Sequence, residues 1–388
     1  MEKINPTVSV NKKKHFIIII PGCDFRQYTR RFHYEALAKL AEVTIIPFPI
    51  SLHKWLFNSN SLRHLDYKEN NLNVVRCTIG LPRILYLKYS FFLKLQNYLL
   101  RRLILKHLRK DSIVVLTNGD MGPFWSIIAS NLTILELTDA PWLLETSSLK
   151  NRVQRLIEFS DVLLNTNVVF CSSINLTQFA KHLNKNVFYV PNTTKVPLNI
   201  KYKVPKNKIV FGFIGNINEW IDLDLIEKMS KELSNKEIVF VGDINGSDEF
   251  YKRFNTFIKD GLVQYFPRVS IEHIVDKIQE FDVGIIPYAL TFFNSYVYPN
   301  KLIQYLSCGK PVITTCFSPD LQFLKEYIHI AYNDEEFILY ANKFIQGELK
   351  IDITLFEKLR LIGMKNSADE RAKLRLKYLE DYVAKQRN

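Results

Sequence analysis

The residues whose types and spacing could do chemistry gather first between positions 283 and 315. An apolar run ends at Pro287, a loop through Phe292, Phe293, Asn294 and Tyr296 follows, and a short helix is expected from about Pro299 to Gly309. Pro311 then opens another buried strand. A helix starting there turns its unpaired N–H groups and the positive end of its dipole toward the loop, which reads as mobile. Lys301 adds a full charge in the first turn, so Asn300 and Lys301 are suited to a phosphate; a solvated lysine behind an ordinary cap is the plainer alternative. A second candidate is Gly215 with Asn216, at the end of the apolar run 208–214. A strand that delivers a glycine into a helix lets the backbone approach a diphosphate closely.

Carboxylates form a third group. Asp24 and His33 follow the first apolar run, Asp120 follows a run at 113–117, and Asp139 follows one at 132–137. An aspartate in a partly buried cleft can have its pKa raised toward general-base work. Each of these positions also reads as a turn residue or helix cap, and His33 as a surface histidine. Asp222 and Asp224 make a nominal Asp-x-Asp, but at a helix start, where the dipole alone favours carboxylates, so no metal site is expected.

Short β-branched runs alternate with amphipathic stretches from residue 15 on: strand 16–20, helix 30–41, strand 43–48, and later a helix 149–165 and a strand 168–171. That alternation predicts an α/β fold with parallel sheets covered on both faces, whose carboxyl-end turns carry the sites. The first turn, Pro21-Gly-Cys-Asp24, is not Gly-x-Gly-x-x-Gly, which removes most support for a dinucleotide-dependent dehydrogenase. A length of 388 residues suits two domains, and 47% hydrophobic with 23% charged residues is ordinary globular composition. Lysine-rich residues 193–207, with Pro197 and Pro205, read as the linker. Five scattered cysteines without Cys-x-x-Cys spacing fit a reducing cytoplasm. The lysines at 12–14 before an isoleucine run mimic a signal peptide, but the run is short and reads as the first strand.

The net charge of +13 implies an acidic partner. Much of it sits in residues 82–110, which hold eight Lys or Arg and no Asp or Glu, interleaved with leucines and aromatics. A basic amphipathic helix of this kind can lie in the headgroup layer of an anionic membrane through Arg83, Lys88, Lys94, Arg101, Arg102 and Lys106. Packing of its apolar face on the sheet is the structural alternative. Nucleic acid is disfavoured because no nucleic-acid-binding motif accompanies the patch.

The segment Tyr298-Pro-Asn-Lys-Leu-Ile-Gln-Tyr-Leu-Ser-Cys-Gly-Lys-Pro-Val-Ile-Thr-Thr315 resembles the donor site of bacterial GT-B glycosyltransferases of the group 1 kind, in particular the capsule, exopolysaccharide and teichuronic acid branch. Gly215-Asn-Ile-Asn-Glu-Trp-Ile-Asp-Leu-Asp-Leu is similar to the family's first donor loop, and Val190-Pro-Asn to the triplet that closes its first domain. The resemblance spans nearly the whole chain and is stronger in the C-terminal half. It implies two Rossmann-like doubly wound domains facing a cleft: 1–195 for the acceptor, 196–367 for a nucleotide sugar, and a C-terminal helix, 368–388, crossing back to the first domain. The donor residues it implies are Gly215, Asn216, Arg268, Val269, Tyr288, Tyr296, Asn300, Lys301 and Gln304, with Arg268 and Val269 beside the nucleobase.

The activity implied is metal-independent transfer from a nucleotide diphosphate sugar, UDP- or GDP-linked, to a lipid-linked or growing cell-surface glycan at the inner face of the membrane, with no cofactor. Many members carry two glutamates eight positions apart, where this chain has Tyr296 and Gln304. Glutamine still hydrogen-bonds a hydroxyl but carries no charge, and the first carboxylate is gone. An inverting reaction then needs a base on the acceptor side, with Asp139 ahead of Asp24 and His33. An inactive sugar-nucleotide-binding scaffold and a sugar-nucleotide epimerase remain alternatives.

Overall fold

The computed structural model describes residues 13–52, 56, 66–117, 119, 121–144, 148–205 and 207–387. The chain divides into two compact units, one of residues 1–191 with 371–388 and one of residues 192–370.

In the first unit, β1 (His15–Ile20) is buried along its whole length. A strand apolar on both faces belongs at the centre of a parallel sheet, and β1 lies between β2 (Glu42–Pro47) and β7 (Ile113–Leu116), with Ile17 opposite both Thr44 and Val114. Beyond β7 follow β8 (Leu132–Leu137), β9 (Val168–Cys171) and β10 (Val187–Tyr189), all parallel. Beyond β2 the sheet continues through β5 (Leu72–Val74), also parallel, to β4 (Tyr67–Glu69), which pairs with β5 antiparallel. A short parallel pair, β3 (Ile50–Ser51) and β6 (Ile79–Gly80), stands apart. The β4–β5 hairpin was missed in the sequence, although Asn70-Asn71 is a two-residue turn signal and Asn70 takes a φ of 49°.

Three helices of this unit bear on the site: α1 (Arg31–Ala38), then α2 (Arg83–Lys88) and α3 (Ser90–Leu105), which replace the single helix expected over 82–110. Tyr89, with extended backbone (φ −124°, ψ 124°), ends α2 and caps α3. Next come α4 (Leu149–Asn165), capped by the Ser148 side chain, and α5 (Ile174–Lys181), capped by Ser173.

The second unit has the strand order β13-β12-β11-β14-β15-β16, all parallel: β11 (Ile209–Ile214), β12 (Lys236–Val241), β13 (Gln264–Phe266), β14 (Val283–Ile286), β15 (Val312–Thr315) and β16 (His329–Ala331). This is the doubly wound arrangement, with its topological switch between β11 and β14. Its helices are α6 (Leu223–Glu232), α7 (Asp248–Lys259), α8 (Ile274–Glu280), α9 (Asn300–Ser307), α10 (Asp334–Ile345) and α11 (Ile353–Lys365). The Asp222 side chain caps α6 and Asp224 pairs with Arg253, so both carboxylates of the Asp-x-Asp are committed to structure.

The last helix, α12 (Ala368–Arg387), belongs from Arg371 onward to the first unit. There Tyr378 stacks on Phe188 at 4.7 Å, Leu379 is buried, and Arg375 reaches Glu136.

Candidate functional site

The carboxyl ends of β11 and β14 frame the site of the second unit. Gly215, straight after β11, has φ +143°, and Gly242, straight after β12, has φ +151°. A Cβ on Gly242 would stand 1.9 Å from the Gly215 carbonyl oxygen, so the two turns lie against each other as only glycine permits. Residues 216–222 are stitched to the loop after β14: Asp222 N–H donates to the Pro287 carbonyl at 2.8 Å, and Ala289 N–H to that of Trp220 at 2.8 Å. Buried Asn294 donates from Nδ2 to the Trp220 and Ala289 carbonyls at 3.1 and 2.8 Å. The loop that reads as mobile in the sequence is therefore pinned, because its asparagine satisfies backbone carbonyls that a loop normally leaves to water.

Against this frame α9 begins at Asn300, behind Pro299, and ends before Gly309 (φ +70°). The Tyr305 hydroxyl accepts from Ile214 N–H at 3.0 Å and so ties α9 to β11. Lys301 Nζ donates to the Tyr288 hydroxyl and stands 4.7 Å from the ring centroids of both Phe213 and Tyr288. Its Cε lies 3.2 Å from where a Cβ of Gly215 would be. No carboxylate pairs with it among the described residues, and burial pulls its pKa down to about 7. Asn300 Oδ1 is buried without a hydrogen-bond partner. A half-buried lysine amine, a helix N-terminus and a glycine turn thus meet at the topological switch, an arrangement suited to a multiply charged anion.

The structure brings Gly215, Tyr288, Asn300 and Lys301 together. Gln304, three residues after Lys301, shares its face of α9, and Tyr296 is half-buried edge-on to Phe292 at 5.4 Å. Arg268 and Val269 sit two strands away, after β13, where Arg268 Nη1 is 3.5 Å from Asp243 Oδ2. Phe213 and Tyr305 were missed; nothing in the sequence separates them from other core aromatics.

In the first unit, the ends of β7 and β8 open onto a cavity of about 350 Å³ lined by Thr117, Thr138, Asp139, Arg83, Arg155 and Glu158 among others. Asp139 is exposed as a residue, yet crowding around its carboxyl raises its pKa, while the Arg30 guanidinium and the Thr138 hydroxyl (3.3 Å) draw it back. Asn118 and Asp120 lie outside the described residues. Asp24 does not line this cavity: its carboxylate accepts from Arg26 N–H at 3.0 Å as a helix cap. His33 is buried, with Nδ1 2.7 Å from Arg375 Nη2.

Beneath the cavity, buried Glu136 meets Arg30 Nη2 at 3.1 Å, Arg375 Nε at 3.2 Å and the Tyr34 hydroxyl at 2.7 Å. Burial alone would raise its pKa, but the two guanidiniums and the tyrosine hold it below the usual carboxylate value. Glu136 was missed, although a glutamate inside the otherwise apolar run 132–137 is a legible signal.

On α2 and α3 all six basic residues expected at a membrane are exposed, and Arg83 also pairs with Glu158. Only Tyr86, Gln96, Leu100 and Ile104 of the two helices are buried, while Ile84 is 74% and Phe91 69% exposed. The apolar face is thus wider than the stripe that packs on the first unit. No helix among the described residues is long and apolar enough to cross a membrane.

No family model matches the chain. Among solved structures, a sucrose-phosphate synthase of Thermosynechococcus elongatus superposes with a TM-score of 0.72 at 14% identity, over 96% of this chain and 100% of that one. A glycosyltransferase of Rickettsia africae gives 0.66 at 15% identity, over 96% and 99%. Anabaena Alr3699/HepE, in complex with UDP, gives 0.65 at 11% identity, over 95% and 100%. The fold is GT-B. Among curated proteins, a Bacillus subtilis (strain 168) protein with the provisional name teichuronic acid biosynthesis glycosyltransferase TuaH is 30% identical over 125 residues. That stretch is 31% of this chain and 30% of the relative, so the match spans less than a third of either. Both comparisons agree with the resemblance to group 1 GT-B glycosyltransferases carried by the motifs.

Proposed function

We propose that this GT-B protein is a glycosyltransferase whose second unit takes a nucleotide diphosphate sugar. The observation that carries the reading is Lys301, a half-buried lysine that pairs with no carboxylate among the described residues, set against Gly215 at the switch point of the sheet. The UDP complex of the HepE neighbour supports a uridine donor. The diphosphate would lie on Gly215, Asn216, the N-terminus of α9 and Lys301, which together stabilise the charge that develops as it leaves. Arg268, Val269, Tyr288, Tyr296 and Gln304 would hold the rest of the donor, without a metal ion.

The first unit binds the acceptor, a lipid-linked or growing cell-surface glycan. Its hydroxyl oxygen attacks the anomeric carbon, the bond from that carbon to the diphosphate breaks, and Asp139 takes the hydroxyl proton; Asp24 and His33, both committed elsewhere, stand behind it. The exposed basic and apolar face of α2 and α3 would hold the protein peripherally on an anionic membrane at its cytoplasmic side.

A thermal-shift panel of UDP, GDP and ADP, with CMP as control, on wild type and Lys301→Ala tests the donor site. One diphosphate at about 100 times its Kd stabilises wild type by about 2.7 kcal/mol, and the variant responds less. Silence of wild type toward all three sinks the reading. Tyr296 and Gln304 in place of glutamates favour one second reading, a binding protein that holds the donor without turnover. Release of UDP from UDP-sugar only when acceptor is present excludes it.

A further inference from the structure

The second unit holds another concave site, at the edge of its sheet. β16 is the outermost strand, with β15 beside it, and a cavity of about 440 Å³ opens between β16, α10, α11 and the residues that lead into the strand. None of the donor residues lines it, so it does not depend on the reading of Lys301.

Its inner wall is apolar and aromatic. Ile328, Ile330, Phe344 and Leu359 are buried, and half-buried His329 lies against the rings of Tyr340 and Phe344, with centroids at 5.0 and 5.3 Å. Burial and the charge of Lys343 hold His329 below the ordinary imidazole range, so the ring is neutral at pH 7. Among the described residues, neither its ring nitrogens nor the hydroxyls of Tyr327 and Tyr340 have a hydrogen-bond partner in the protein. Three lining side chains thus keep hydrogen-bonding capacity that the fold does not use.

The rim is basic. Exposed Lys325, Lys350 and Lys358 reach the cavity from three separate segments, and none pairs with a carboxylate among the described residues. Lys358 Nζ stands instead 5.2 Å from the centre of the Tyr327 ring. Glu326 is the one acid in the lining, so the ammoniums outnumber it. Lysines on an open surface are commonplace, but here they converge on a concave wall with aromatic rings and unused polar groups, the composition of a small-ligand site.

We infer that this cavity binds a phosphorylated ring compound of hexose phosphate or mononucleotide size. Its phosphate lies among Lys325, Lys350 and Lys358, and its ring lies on the wall of Tyr327, His329 and Tyr340. Lysine supplies point charges that suit a phosphate, and tyrosine supplies flat apolar area with a polar tip that suits a sugar or base.

Isothermal titration calorimetry of the full chain tests this, with glucose 6-phosphate, AMP and inorganic phosphate as probes. Titrations use Lys301→Ala protein, and wild type saturated with UDP as a second background, so that failure of the donor reading is seen separately. One of the two organic phosphates should bind with a Kd of about 1 mM or tighter, and inorganic phosphate at least about tenfold more weakly, because it cannot use the aromatic wall. The variant Lys325→Gln/Lys350→Gln/Lys358→Gln should weaken the organic phosphate at least about tenfold. The control Lys252→Gln/Lys259→Gln/Lys365→Gln, which removes equal charge from exposed positions outside the cavity, should leave it unchanged. Absence of binding by both organic phosphates overturns the inference, as does equal weakening in the two triple variants. Inorganic phosphate binding as tightly as the organic probes removes the role of the rings and overturns it too. Binding to wild type that vanishes in Lys301→Ala protein places the probe in the donor site and overturns it.

Discussion

Lys301 makes donor binding depend on pH above neutrality. Desolvation pulls its pKa down from the ordinary lysine range to about 7 in the free protein, with no neighbouring carboxylate among the described residues to restore it. A diphosphate within contact supplies the missing negative charge and returns the ammonium to its ordinary range. Between about pH 8 and pH 10 the free protein is therefore mostly deprotonated at this position and the complex is not. Well above pH 7 each pH unit costs about tenfold in affinity, or about 1.36 kcal/mol, so from pH 7, where the group is half protonated, to pH 9 the Kd for UDP should rise about fiftyfold. The ligand's phosphates are already ionised above about pH 7 and do not contribute. Isothermal titration calorimetry at pH 8.5 in buffers of different ionisation enthalpy should show uptake of about one proton per UDP, and Lys301→Met should abolish both the uptake and the slope. An affinity that changes less than about threefold over that range, with no proton uptake, would mean that the ammonium is charged without ligand or does not meet the phosphates.

Three further variants test the structure elsewhere. Asp139→Asn should lower turnover at least about a hundredfold while leaving UDP affinity unchanged, and equal turnover removes the base assignment. The folded-state pKa of Asp139 is raised, so its contribution to stability is greatest at low pH and falls as pH rises; the asparagine variant should be no less stable than wild type at pH 7.5 by thermal melting. Gly242→Ala forces a Cβ to within 1.9 Å of the Gly215 carbonyl at a φ of +151°, which should cost about 3 kcal/mol or more and weaken UDP binding, measured by denaturant titration and calorimetry. Glu136→Gln leaves Arg30 and Arg375 buried without a counter-charge and should destabilise the first unit by about 3–5 kcal/mol in guanidinium titration.

The α/β class and the parallel sheets were legible because β1, β7, β11 and β14 are predominantly apolar runs with turn residues after them. Asn300, Lys301 and Gly215 were legible for the same reason: proline before a helix and glycine after a strand are local signals of backbone geometry. What depended on contacts distant in sequence was not. Nothing local marks Tyr288 as the partner of Lys301, Asn294 as the pin of its loop, or Arg375 as the neighbour of His33. The break at Tyr89 was hidden because the residues on either side keep helical periodicity, and only the backbone of one residue departs from it. The exposure of Leu149, Val153, Leu156 and Ile157 on α4 was hidden because periodicity shows that a helix has an apolar face and not whether anything covers it.

The buried cluster of Arg30, Glu136 and Arg375 bears on the order in which the molecule matures. Arg30 and Glu136 are made well before the third member, Arg375, which follows Arg30 by 345 positions (375 − 30). Until α12 arrives, Glu136 has one of its two arginines and the surface that Tyr378 and Leu379 occupy stays wet. The first unit is thus completed only after residues 371–388 are made, while the unit encoded between its two parts can close first. A nonsense mutation a few codons before Arg371 would leave the N-terminal sheet exposed to proteolysis although every one of its strands had been made.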